Sequence, residues 1–370
     1  MTTVMRVTIN PKMLGVVFIY FFALITLRQI FCNALLWDEN WYQGIVLHGY
    51  SYSVGSQSSV AFFPVFPILI KLLSFNGAIE PRIIATLINY CAVVGICTLS
   101  LKLAAKLNKK VLNRSQKILI LGVMLAFPSA FIFVSMYADA LLAFFVTAAI
   151  YFAFNNRYLL AFAMAGLASG TKSTGITAAV VCLVIVIADQ GIGKKNILKI
   201  VGYGLLGMSG LLSYMLFLWA KFGDAFLFFT AQSEWERNSG FFINTLWQQL
   251  IETCKNIFNT AVSRSFVFAR LLSISFVFVS ALFVYMNYRK KQWWLVALLL
   301  TSIGIPLASG NFNSIIRYAL VPLPLLAAFY LPKVKLKGRN KGIAIAIVAI
   351  SGVVQLALYA YFIRGDVFIA

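Results

Sequence analysis

Apolar residues run through this chain in blocks as long as a bilayer is thick, and the polar stretches between them hold most of the basic residues. Inside lipid every backbone N–H and C=O must be paired within its own segment, so blocks of this length predict helices. The pattern predicts about eleven spans, near 13–31, 82–106, 116–135, 138–154, 157–170, 174–188, 197–221, 266–286, 292–309, 315–332 and 342–362. The fifth and sixth are short for full crossings and predict a tight or tilted pair turning at Gly170–Gly175. The expected fold is an all-α polytopic membrane protein forming one domain over residues 1–370.

Two of the intervening loops are long, 32–81 and 222–265, and both predict juxtamembrane helices. In AFFPVFPILIKLL (61–73), Pro64 and Pro67 fall where proline is tolerated, in a helix's first turn. In FFINTLWQQLIETCKNIF (241–258), Phe242, Leu246, Leu250, Cys254 and Ile257 share one helical face, as in a helix lying on the membrane.

Composition sharpens the picture. At 61% hydrophobic and 11% charged the chain is too apolar for a soluble core. Its net charge of +21 does not indicate nucleic-acid binding, because the cations stand between membrane segments. A cytoplasmic N-terminus puts Arg6, Lys12, Lys102–Lys117, Arg157, Lys194–Lys199, Arg289–Lys291 and Lys333–Lys341 inside, as the positive-inside rule requires. Every acid except Asp189 then lies on the outer side, a skew that orientation does not require and for which chemistry at that face is one candidate cause. The first helix reads as a retained span rather than a cleaved signal. None of the five cysteines has metal-ligand spacing, and His48 is the only histidine, so no metal site is expected. Cys32 and Cys254 are the cysteines that could meet outside the membrane, and their pairing stays open.

Asp38 follows the first span, in WDENWYQGIVLHGY (37–50), where a carboxylate between Trp37 and Trp41 could reach an outward pocket. Glu39, Tyr42 and His48 could bind polar groups beside it, or the whole stretch could be an interfacial aromatic belt with solvated acids. Asp139, at the start of the fourth span, either caps that helix or shares a cavity with Asp38. GTKSTG (170–175) is not a phosphate-binding loop of the Walker type, since Thr171 precedes the lysine and membrane helices flank it. Lys172 is still a candidate for a lipid-linked phosphate, against the simpler reading of a snorkelling side chain. Arg317 in FNSIIRYALVPLP (312–324) and Arg237 after Gln232 and Trp235 offer guanidinium forks that fit phosphate oxygens. Either could instead snorkel, and Glu234 or Glu236 could neutralise Arg237.

In their order, WDENWYQGIVLHGY, AFFPVFP, FPSAFIFVSMYADA, AGLASGTKSTG, KFGDAFLFFTAQSEWER, SIIRYALVPLPLL and FIRGDVFIA resemble the PIG-V-type mannosyltransferases, the family of GPI mannosyltransferase II and its bacterial relatives. The resemblance extends over nearly the whole chain. Two departures stand out: Asp139 and Lys172 occupy positions where the family commonly carries glutamate and arginine. The resemblance implies a GT-C glycosyltransferase in a bacterial plasma membrane, inverting, and using polyprenyl-phosphate mannose to modify a lipid-linked or glycan acceptor at the non-cytoplasmic face. It implies Asp38 as base, Asp139 as orienting the acceptor or Asp38, Glu39, His48 and Tyr42 as acceptor or active-site support, and Arg317, Lys172 and Arg237 as candidate phosphate ligands, Arg317 preferred. No cofactor and no obligatory divalent ion are expected, since the outer loops lack a DxD-type motif. The competing class is a transporter or flippase of a lipid-linked sugar, which often shows duplicated halves that this chain lacks.

Overall fold

The structure, a computed structural model, describes residues 11–365 apart from 33, 236, 238, 239, 258, 260, 261, 311 and 313. Arg6, Glu236, the side chains of Lys12 and Phe242, and the chain after Gly365, with most of FIRGDVFIA, lie outside the described residues. In chain order the α-helices are α1 (Pro11–Phe31), α2 (Asp38–His48), α3 (Val65–Leu73), α4 (Pro81–Leu107), α5 (Arg114–Leu125), α6 (Asp139–Phe154), α7 (Tyr158–Ser169), α8 (Ile176–Gln190), α9 (Lys194–Gly207), α10 (Ser209–Phe222), α11 (Leu227–Thr230), α12 (Phe242–Ile257), α13 (Arg264–Arg289), α14 (Trp293–Ala308), α15 (Ile315–Tyr318), α16 (Leu323–Tyr330) and α17 (Arg339–Arg364).

The chain is an all-helical, multi-pass membrane protein. Among the described residues five helical stretches are long and apolar enough to cross, Met13–Phe31, Pro81–Leu107, Ser173–Gln190, Arg264–Arg289 and Arg339–Arg364, with α9 and α10 as a sixth if their 56° bend is one broken span. The other expected spans are shorter or interrupted. The block at 116–135 stops being α-helical at Leu125, ahead of Phe127–Pro128, and resumes as a 3₁₀ turn over Ala130–Val134. A residue before proline is driven out of the α region, which explains the break. The block at 315–332 splits into α15 and α16, with Pro322 and Pro324 at the restart.

The core forms around α6, which packs against α4, α7 and α8. Ala140, Ala143, Ala148, Ala149 and Ala153 are buried on it, and small side chains let neighbouring backbones approach closely where lipid offers no hydrophobic drive. α7 and α10 cross so tightly that a Cβ on Gly210 would lie 2.2 Å from the Gly166 carbonyl oxygen. On the periphery α17 exposes Ile343, Ile345, Ile347, Ile350 and Val353, as a lipid-facing helix does.

The amphipathic helix expected at 241–258 is α12, rotated relative to the expectation. Thr245, Leu246, Leu250 and Thr253 turn inward toward α13 and α14, whereas Cys254 is exposed. Ile243, Trp247 and Ile251 form a second, exposed apolar row at helical spacing. The proline-started helix is found as α3, with Pro64 at its N-cap. Cys32 and Cys254 are both free thiols.

Candidate active site

Asp38 is placed by strain and by its neighbour. Trp37 has φ 52° and ψ −122°, a backbone conformation costly for a bulky residue, and this turn starts α2 at Asp38. Glu39 points the other way. Its carboxylate accepts from Arg28 Nη1 at 2.7 Å and Nη2 at 2.5 Å, and from the backbone N–H groups of Leu36 and Met136, both at 2.9 Å. Its lone pairs are thus filled, and it ties α1, α2 and the segment before α6 together. The expectation that Glu39 binds a polar group beside Asp38 is corrected: it is fully buried and supports the site by locking the turn that carries Asp38. His48 is corrected as well. It is exposed at the far end of α2, roughly 15 Å along the axis at 1.5 Å per residue, and is absent from the cleft.

The remaining predicted residues meet. Arg317 Nη1 lies 3.1 Å from Asp38 Oδ2, although 279 residues separate them, and Arg317 Nε lies 3.6 Å from Asp139 Oδ1. Lys172 Nζ donates to Asp139 Oδ1 at 3.1 Å. Asp139, first in α6, is therefore the shared partner of two cations rather than a simple cap. Arg237 Nη1 donates to Tyr318 Oη at 3.2 Å, and among the described residues no ion pair forms on Arg237. Glu234 is exposed.

Backbone contacts fix the frame. Asn89 donates to the carbonyls of Ser135 and Tyr137, pinning the approach to α6, and the Tyr137 hydroxyl accepts from the Asp38 N–H at 3.3 Å. The Val65 N–H donates to the Gly170 carbonyl at 2.9 Å, so the FFPVFP and GTKSTG motifs touch. Ser129 donates to the Ile316 carbonyl at 3.0 Å and holds the Arg317 turn.

These elements enclose a cleft with about 680 Å³ of empty space, its open mouth included. Lys172, Arg237, Arg317 and Tyr318 line one part of it, and Tyr42, Phe62 and Trp235 another. Trp41 stacks on Phe62 at 5.9 Å between ring centroids and meets Trp235 edge-on at 5.2 Å. Asp38 is the one carboxylate among the described lining residues. Asp139 stands behind the cations.

Burial first, then the Asp38 charge, holds the Tyr42 hydroxyl well above the usual phenol range. Tyr318 lies among cations instead, with Arg237 donating to its hydroxyl and Lys172 Nζ 4.7 Å from its ring. Sequence reasoning missed Tyr318 and the lock made by Arg28. The first carried no signal beyond adjacency to Arg317, and the second sat inside an apolar span, where a charge demands a partner. The chain matches no protein-family model, no curated protein and no solved structure. What the cleft can do must follow from its own chemistry: bind an anion among fixed cations, and take a proton at one carboxylate.

Proposed function

We propose that this chain is an integral membrane glycosyltransferase of the PIG-V and GT-C type. It moves a sugar, with mannose preferred, from a polyprenyl-phosphate donor to a lipid-linked or glycan acceptor with inversion at the anomeric carbon. The observation that carries this reading is the make-up of the cleft, where the described lining residues include one carboxylate, Asp38, and three cations, Lys172, Arg237 and Arg317. In this reading the eleven apolar blocks all serve as crossings, the N-terminus is cytoplasmic, and the cleft opens at the outer face of a bacterial plasma membrane.

The acceptor hydroxyl oxygen attacks the anomeric carbon, the carbon–oxygen bond to phosphate breaks, and its electron pair leaves with the phosphate. The hydroxyl proton passes to the Asp38 carboxylate. Asp38 becomes neutral as the phosphodiester monoanion becomes a phosphomonoester dianion, so the cleft's total charge does not change. Arg317 already holds Asp38 and is placed to shift its fork toward the phosphate as charge moves there. Asp139 keeps Lys172 and Arg317 aimed.

The Trp41, Phe62 and Trp235 rings offer an apolar wall for a sugar face, and Trp235 Nε1 is buried with no hydrogen-bond partner among the described residues. Next to this wall Phe63 contacts Tyr214, which lines a groove with about 890 Å³ of empty space, its open side included, together with Pro64, Pro67, Ile68 and Phe217. A prenyl chain laid in it gains about 0.8 kcal/mol per buried methylene.

The test is transfer by purified protein from polyprenyl-phosphate mannose to a panel of lipid and glycan acceptors. Asp38→Asn is expected to lower kcat by roughly 10²–10⁴ while donor binding persists. Undiminished turnover by this variant ends the mechanism, and movement of lipid-linked sugar across vesicles by both proteins, without transfer, establishes the flippase instead.

A further inference from the structure

Tyr318 is buried, 4% exposed, and its hydroxyl oxygen accepts from Arg237. Its ring lies 4.7 Å from Lys172 Nζ. Among the described residues its own hydroxyl proton has no acceptor, although the group lines the cleft. A buried O–H donor that faces a cleft lined by three cations suits an anionic oxygen. From this geometry we infer that Tyr318 donates its hydroxyl proton in a hydrogen bond to the donor's phosphate, as the fourth phosphate ligand beside Lys172, Arg237 and Arg317. The inference rests on the transferase reading for the identity of the phosphate, but not for its presence.

Lys172 reaches the phenol from the α7–α8 turn and Arg237 from the segment before α12, and Arg317 precedes it on α15, with Asp139 at the head of α6 paired to Lys172 and Arg317. A phosphate oxygen that accepts from the phenol therefore meets positive charge from three separate segments.

The experiment measures binding of a short prenyl monophosphate to the purified full chain at pH 8, where the probe is almost wholly dianionic, with the matching prenyl alcohol as control. Tyr318→Phe should bind the phosphate roughly ten- to a hundred-fold more weakly than wild type, as for a hydrogen bond to a charged group, and should bind the alcohol as wild type does. Equal phosphate affinities overturn the inference, as does an equal loss for the phosphate and the alcohol. Phosphate-dependent binding with these signatures but no sugar transfer would sink the transferase reading and leave the phosphate site standing.

Discussion

At the scale of single residues, two adjacent acids divide their work. Asp38 and Glu39 look equivalent in WDEN, but successive residues of a helix point about 100° apart, and α2 turns one into the cleft and the other into the protein. Glu39 is held by the two Arg28 nitrogens and two backbone N–H groups. Glu39→Gln removes the counter-charge of Arg28, whose side chain is 4% exposed, and puts an amide N–H₂ where only acceptors fit. Breaking a buried pair from one side typically costs about 3–5 kcal/mol, because the remaining charge stays buried. The variant should therefore melt well below wild type in detergent and, with it, lose the transfer proposed above. Asp38→Asn should melt close to wild type. If Glu39→Gln melts as wild type does, the lock assigned here is wrong. The residue types of this site were legible in the sequence: Asp38, Lys172, Arg237 and Arg317 share the cleft, with Asp139 behind them. Which of two neighbouring acids faced inward was not, because hydropathy carries no rotational phase over a polar turn.

At the scale of elements, the blocks long enough for lipid were readable because an uninterrupted apolar run has few structural options. The breaks were harder to read, although they build the site. The chain leaves α-helix after Leu125 and returns at Asp139, and the intervening turns present Met136 to Glu39 and Tyr137 to Asp38. Mean hydropathy averages over such breaks, since Phe131, Ile132 and Phe133 are as apolar there as in any span. Close helix contact positions Lys172 in the same way. A Cβ on Gly210 would meet the Gly166 carbonyl oxygen at 2.2 Å and the Gly170 nitrogen at 2.5 Å. Backbone cannot swing aside as a long side chain can, so Gly210→Val must push α10 off α7 and disturb the turn that begins at Gly170. The expected destabilisation is at least the 1–3 kcal/mol of ordinary overpacking. Gly204→Ala is the control, because its added carbon would meet only Leu183 Cδ1 at 4.0 Å and alanine favours helix. Melting temperature should fall for the first and hold or rise for the second. Equal behaviour would mean that the α7–α10 crossing does not constrain the site.

At the scale of the molecule, the cleft gathers residues from widely separated segments, and their order along the chain constrains the crossings. Asp38 and Asp139 are separated by α4 and α5, Asp139 and Lys172 by α6 and α7, Lys172 and Arg237 by α8 and the bent α9–α10, and Arg237 and Arg317 by α13 and α14. Because the five side chains lie at one site, each interval must return the chain to the side it left, which favours counting α5 with its following turns, and α9 with α10, as one crossing each. The basic stretches between these intervals then fall together at the opposite end, where Gln116 donates to the Pro332 carbonyl and Tyr158 to Asp189. In the proposed reading the positive-inside rule assigns that end to the cytoplasm. Cysteines introduced singly at Ser56 and Lys337, both exposed, test this on intact cells in a background lacking native thiols. A membrane-impermeant maleimide should label Ser56→Cys directly and Lys337→Cys only after permeabilisation. The reverse pattern would put the cleft at the cytoplasmic leaflet. There the sugar donor would not have to be lipid-linked, and the apolar groove beside Phe63 would lose the reason given for it.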